Sequence, residues 1–95
     1  MPQVRFDIRC NQTPYDQRNF EIEVTKGTKL IDLFKSLAKS EVYVSKYLFN
    51  LNEECLYPHH IIFIDGELLI PKDMPKYIIE NKTIHVRIMP FLFGG

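Results

Sequence analysis

FEIEVTKGTKLIDLFKSLAKS, residues Phe20 to Ser40, changes its hydrophobic period halfway along. Phe20, Ile22 and Val24 alternate with Glu21, Glu23 and Thr25. That period of two belongs to a strand with one buried face. Lys26-Gly27 breaks the alternation, and Thr28 stands where a helix N-cap is expected, because its hydroxyl can accept from an orphan N–H of the first turn. Leu30, Leu33, Phe34, Leu37 and Ala38 then recur at helical spacing, with Lys29, Asp32, Lys35, Ser36 and Lys39 on the other face. Lys35 and Lys39 lie towards the C-terminal end, where positive charge complements the dipole. The spacing predicts a helix from about Lys29 to about Ser40.

Upstream, Val4, Phe6, Ile8 and Cys10 alternate with Arg5, Asp7 and Arg9, so a first strand pairs with the Phe20–Val24 strand as a hairpin. Asn11 to Asn19 is polar, contains Pro14 and forms the connection. Downstream, Glu41 to His60 carries Val42, Val44, Tyr47, Leu48, Phe49, Leu51 and Leu56 without a clean period. A short helix near Ser45–Asn50 and a short strand both fit it. Ile61 to Ile64 is a continuous apolar run closed by Asp65-Gly66, a strong turn signal, and Glu67–Ile70 returns as a short strand stopped by Pro71. Pro75 is expected to start a turn or short helical segment through Tyr77–Ile79, and Asn81-Lys82 to form a second turn. Ile84, Val86 and Ile88 alternate with His85, Arg87 and Met89 until Pro90 ends the last strand.

Strand, strand, helix and further strands describe an α+β domain in which one helix crosses one face of a mixed sheet. The first and last strands are expected to be central neighbours. The expected core is Val4, Phe6, Ile8, Phe20, Ile22, Val24, Leu30, Phe34, Leu37, Ile62, Ile64, Val86 and Ile88.

Composition narrows the function. Ninety-five residues hold one core, and twelve basic side chains balance twelve acidic ones. That balance argues against a nucleic-acid module held by phosphate contacts. No apolar run approaches a membrane span, and residues 1–10 do not resemble a signal peptide. Cys10 and Cys55 lack the density of a secreted disulfide scaffold, so a cytoplasmic protein with two free thiols is expected.

Candidate chemistry within the body of the chain is sparse. Cys55, His59 and His60 lie close in sequence, with His85 further on, but a structural zinc site needs four ligands and a catalytic one three. No metal site and no catalytic residue is assigned. Asp65, Glu67 and Asp73 read as solvated turn carboxylates, and there is no Gly-rich phosphate loop. The sharpest feature is Gly94-Gly95 after Phe91-Leu92-Phe93. Without Cβ atoms the glycine pair is thin enough to thread a narrow channel and present a terminal carboxylate to another protein's active site. The pair alone reads equally as an inert terminus. Phe91, Leu92 and Phe93 are an apolar segment that a partner would cover, or that packs back, through Phe91, on the domain's own core.

The hairpin into Lys26-Gly27-Thr28 and its helix, Ile61–Gly66, Ile84–Pro90 and Gly94-Gly95 together resemble the ubiquitin-like β-grasp family. The resemblance is to its sulfur-carrier and modifier branch: the small subunit of molybdopterin synthase, the thiamin sulfur carrier, the ubiquitin-related modifier and the small archaeal modifiers. Asn81-Lys82 stands where those carriers usually place a Gly-Asp turn. The resemblance implies a β-grasp domain over 1–90 and a flexible C-terminal tail over 91–95. It further implies a carrier or substrate protein rather than an enzyme. Gly95, with Gly94 behind it, would be activated by a separate E1-like adenylyltransferase that uses ATP, with Phe91, Leu92 and Phe93 as the partner-docking segment. A sulfur donor or a conjugation target protein would be the other partner, with no direct nucleic acid and no membrane. The thiocarboxylate would donate sulfur; a thioester would pass the chain to a target lysine. A non-activated ubiquitin-like interaction domain is the remaining alternative.

Overall fold

The computed structural model describes residues 2–10, 13–15 and 18–90. Strand β1 (Gln3–Ile8) alternates as read, with Val4, Phe6 and Ile8 buried and Arg5 exposed. β2 (Asn19–Glu23) pairs with it antiparallel, Phe6 opposite Phe20. Helix α1 (Leu30–Ser40) buries Leu30, Ile31, Leu33, Phe34, Leu37 and Ala38. A π-helical segment (Val44–Leu48) leads into a two-stranded ribbon, β3 (Phe49–Asn50) and β4 (Cys55–Leu56). β5 (His60–Ile64) and β6 (Glu67–Leu69) form a second hairpin. A 3-10 helix (Pro71–Lys76) follows, and β7 (Ile84–Pro90) closes the sheet.

The five-stranded sheet runs β2-β1-β7-β5-β6. β7 is parallel to β1 and antiparallel to β5, so the first and last strands are the central neighbours expected. Ile84, Val86 and Ile88 are each 0% exposed under α1, on the helix-facing side of the sheet. Among the described residues, ring contacts run from the sheet through α1 to β3. Phe6 stacks on Phe20 with centroids 4.8 Å apart, Phe34 meets Phe6 edge-on at 5.9 Å, and Phe34 stacks on Phe49 at 5.8 Å. Phe34 therefore links the sheet to the segment after the helix.

The α+β reading holds, with four local differences. Thr28 does not cap α1: its hydroxyl donates to the Thr25 carbonyl at 2.7 Å, and Lys29 occupies the cap position without a side-chain bond. A neighbouring backbone does the capping. The Leu30 N–H donates to the Tyr77 carbonyl at 3.0 Å, and the Ile79 N–H to the Thr28 carbonyl at 2.8 Å. Consequently Tyr77–Ile79 is extended, with Ile78 opposite Lys29, and the helical turn falls earlier, starting at Pro71. Proline at the first position of a helix gives up an N–H that would have no partner there. Phe20 and Ile22 are half-buried because β2 is an edge strand. The core gains Cys10, Ile31, Leu33, Ala38, Tyr43, Val44, Leu48, Phe49, Met74, Ile79 and Ile84.

The 41–60 segment contains both alternatives, helical turn and strand. Tyr43, Val44, Leu48 and Phe49 are buried while Val42 is 77% exposed. The Phe49 N–H bonds the Val44 carbonyl, five residues back, which is the π-helical bond. That wider turn puts 43, 44, 48 and 49 on one face. Lys35 of α1 reaches Glu54 at 2.7 Å, an exposed pair that tethers the β3–β4 connection to the helix. The bond to the Glu54 carboxylate holds the Lys35 ammonium above its ordinary range.

Phe34→Ala removes the ring that both layers touch. It is expected to lower unfolding free energy by about 3–5 kcal/mol, read as a fall in the urea midpoint at unchanged slope. A loss below about 1 kcal/mol would show that the two layers do not meet through this ring.

Candidate functional site

The five positions on which the sequence reading placed function, Phe91, Leu92, Phe93, Gly94 and Gly95, lie outside the described residues. The structure does describe the place from which they depart. β7 is flanked on both sides, so its end is held by two ladders. On one side Ile88 lies opposite Ile8, and the Arg9 N–H donates to the Ile88 carbonyl at 2.8 Å. On the other side Met89 lies opposite Ile61 and Pro90 opposite His60. Proline has no N–H, so Pro90 donates no ladder hydrogen bond.

The segment beside Pro90 is itself fixed. His60 Nδ1 lies 3.0 Å from the Tyr57 carbonyl, the Tyr57 hydroxyl donates to the Ser45 carbonyl at 2.7 Å, and the Tyr57 N–H donates to the Leu48 carbonyl at 2.9 Å. Loop 57–60 is thus anchored to the π-helical segment. At the other end of β7, Asp65 accepts the His85 N–H at 2.9 Å through Oδ1, and its own N–H donates to the His85 carbonyl at 2.9 Å. Asp65 and Gly66 take φ of 50° and 86°, the left-handed geometry that a two-residue hairpin turn requires. Asp65 is therefore a turn carboxylate with a structural role, fixing where β7 starts.

The sheet face away from α1 divides in two. Over β1, β2 and β7 it is charged: Arg5 meets Glu21 at 2.6 Å, while Asp7 lies 3.1 Å from Arg9 and 3.3 Å from Arg87. Over β5 and the end of β7 it is apolar, with Ile61, Phe63 and Met89 half-buried and Leu68 of β6 exposed. The tail root stands at the apolar end of this face.

The thiols differ. Burial pushes the Cys10 thiol up to about 11, against a small opposing pull from Arg18, whereas Cys55 is exposed on β4. Among the described residues no three His, Cys, Asp or Glu side chains are gathered closely enough to hold a metal ion. No described helix is long and apolar enough to cross a membrane.

Among solved structures, the chain matches small archaeal modifier protein 1 of Haloferax volcanii, in two crystal structures. One superposes with a TM-score of 0.69 at 14% identity, covering 98% of this chain and 99% of the other. The second also gives 0.69, at 12% identity, covering 97% of this chain and all of the other, 100%. The fold is the ubiquitin-like β-grasp. The match extends along nearly the whole of both chains. At these identities the likeness is one of fold. No protein-family model matches the sequence, and no curated protein does.

The sequence reading placed function on residues 91–95 and did not identify the residue opposite Pro90. His60, which it left at the end of the aperiodic 41–60 segment, opens β5 and is the cross-strand partner of Pro90. The signal that could have located it is the apolar run Ile61–Ile64, extended one residue back against the alternating run that ends at Pro90.

The thiol contrast has a direct readout. At pH 8, iodoacetamide is expected to alkylate Cys55 of the native protein and leave Cys10 intact, with both modified in denaturant. A raised acidic group also costs stability at high pH. Between the ordinary thiol value of 9.0 and about 11, the unfolded chain loses a proton that the folded one keeps. Stability should therefore fall across that window, and less so in Cys10→Ala. Equal alkylation of both thiols in the native state would contradict the buried placement of Cys10.

Proposed function

We propose that this chain is a ubiquitin-like sulfur carrier whose C-terminal Gly95 is adenylated by a separate E1-like activating enzyme and converted to a thiocarboxylate. The observation that carries the reading is the departure of the tail from Pro90 at the end of a central strand. A strand held on both sides gives residues 91–95 a fixed origin, and Gly94-Gly95 gives them a narrow tip. A rigid origin reduces the orientational freedom lost when the tip enters a partner's site.

The chemistry belongs to the partner. A Gly95 carboxylate oxygen attacks the α-phosphorus of ATP, and pyrophosphate leaves. Hydrosulfide supplied by the partner system then attacks the acyl carbon of the adenylate, the C–O bond to AMP breaks, AMP leaves, and the thiocarboxylate remains once the S–H proton is lost. The chain supplies the acyl group and a shape; the partner supplies the nucleotide site, the nucleophile and the charge stabilisation. On this reading the protein is a substrate and not an enzyme, and it works in the cytoplasm. Residues 1–90 form the domain and 91–95 the reactive tail. Phe91, Leu92 and Phe93 are the side chains that dock on the activating enzyme. Burying one such side chain contributes about 1.5–3 kcal/mol.

A second reading shares the first step. The matched fold is that of a small archaeal modifier protein, which favours conjugation: the activated Gly95 would pass through a thioester to a lysine amine of a target protein. The two fates separate after the adenylate. Intact mass after incubation with ATP, the cognate activating enzyme and a sulfur source distinguishes them: oxygen replaced by sulfur for the carrier, a covalent adduct with a target for the modifier. Neither product would leave the non-activated interaction domain.

Deleting Gly95, or placing a bulky residue by Gly94→Phe, is expected to abolish ATP–pyrophosphate exchange with the activating enzyme while leaving the melting temperature unchanged. Displacing a reacting carboxylate by about 1 Å costs on the order of 100-fold. Full exchange by a chain ending at Phe93 would rule the proposal out.

A further inference from the structure

The five-stranded sheet ends in two open edges, β2 and β6, and they are built differently. On β2 the Val24 N–H donates to the Pro2 carbonyl at 2.9 Å, and the Arg18 carbonyl accepts the Ile8 N–H at 2.7 Å, so even-numbered residues face β1. Asn19, Glu21 and Glu23 therefore direct their backbone groups outward and carry two carboxylates along that edge. Charged side chains on an edge oppose strand addition. At the other edge, the Asp65 N–H donates to the His85 carbonyl at 2.9 Å, so odd-numbered residues of β5 face β7 while Ile62 and Ile64 face β6. Their partners Leu69 and Glu67 direct their backbone groups inward. Leu68 is left with its N–H and C=O pointing outward, and its side chain is 59% exposed. Ile70, two residues on, is extended and 47% exposed, and it borders an apolar cleft of about 620 Å³ beside the 3-10 helix. A hollow of about 330 Å³, lined by Glu67, Leu68, Leu69, Tyr77 and Lys82, leaves room beside β6.

We infer that β6 of one copy pairs antiparallel with β6 of a second copy, about a twofold axis at Leu68. In that register Leu68 faces Leu68, and each N–H donates to the other's carbonyl, so one contact satisfies the outward backbone groups of both strands. Glu67 falls opposite Leu69, and Gly66 opposite Ile70. A Cβ added at Gly66 would meet nothing within 4 Å, so the exposed Ile70 side chain has open space to enter. Lys72 of one copy comes beside the Asp65–Glu67 turn of the other. Among the described residues, neither Lys72 nor Glu67 forms an ion pair within its own chain. Hydrogen bonds, apolar contact and charge are thus self-complementary, as a twofold interface requires, and this chooses a second copy over a foreign strand. The same operation on β2 would set Glu21 directly against Glu21, like charge on like. The balanced net charge adds no long-range repulsion between copies. Strands of three residues bury well under the roughly 1,200 Å² of a stable complex, so the pair is a weak equilibrium. The inference goes beyond the proposed activation, and its test uses no activating enzyme, so the two fail separately.

Amide spectra and sedimentation equilibrium of the full chain, from tens of micromolar to about one millimolar, test it. The Leu68 amide resonance is expected to move with concentration while those of β2 stay, and the average mass to rise above the 11.3 kDa of one chain. In a mixture of labelled and unlabelled chains, an isotope-filtered contact is expected between the α-protons of Glu67 in one copy and Leu69 in the other. That pair is not hydrogen-bonded, which brings its α-carbons to about 4.5 Å. L68K, at an exposed position, sets two ammonium groups opposite each other. It is expected to weaken association about tenfold or more, at an unchanged melting temperature. The filtered contact is read in the unsubstituted chain and decides the point without the variant. The mass of a single chain at about one millimolar, concentration shifts confined to another surface, or an undiminished dimer in L68K would each overturn the inference.

Discussion

The parallel pairing of Val4–Ile8 with Ile84–Ile88 is the contact on which the rest of the molecule depends. It joins residues eighty positions apart in sequence and places the two most buried strands side by side. β2 extends the sheet beyond β1, and β5 and β6 extend it beyond β7. The helix then has one continuous apolar floor to cross. Every side chain of β7 that faces α1 is fully buried, so a polar substitution there would be felt across the whole sheet rather than at one edge. The same ladders that make β7 central hold Pro90 in place.

Elements with one period and one partner were legible in the sequence. Val4–Ile8, Phe20–Val24, Leu30–Ser40, Ile61–Ile64 with Asp65-Gly66, and Ile84–Pro90 all fall where alternation or helical spacing put them. Three features were not legible, each for a physical reason. The cap of α1 is backbone from Tyr77–Ile79, a partner nearly fifty residues away that no local pattern around Thr28 reveals. Val42 to Leu51 lacked a period because it was compared with helical and strand repeats. Its buried positions 43, 44, 48 and 49 follow the five-residue bond of a π turn. Tyr77–Ile79 followed Pro75 and suggested a turn, but proline also sits comfortably in the 3-10 helix that ends at Lys76, leaving the next residues extended.

The candidate site divides the same way. Gly94-Gly95 is visible in sequence because its meaning lies in the absence of side chains, a property that needs no partner. Its mooring is a tertiary fact. His60 becomes significant only when β5 is laid beside β7, and Asp65 only when its carboxylate meets the His85 N–H. The exposed thiol of Cys55 and the apolar cleft it lines likewise come from residues 53–75 folding around the end of a hairpin, and no sequence window contains them. The overall likeness to a small archaeal modifier protein at 14% identity makes the same point at the scale of the whole chain. Alternation, burial and connectivity survive where residue identity does not.

The central parallel ladder also has a consequence for biosynthesis. Of the five strands of the sheet β1 is made first, yet one of its two neighbours, β7, is made after the other four. Until Ile84–Ile88 emerges, β1 can pair only with β2, and the β5–β6 hairpin has no sheet to join. Contacts of such long sequence separation must wait for their loop-closure entropy to be repaid. The domain therefore closes in a single late event. A nascent or truncated chain that lacks β7 exposes both central edges and cannot hold the rigid platform from which the tail departs. Assembly of the sheet and the fixing of Pro90 thus become the same step.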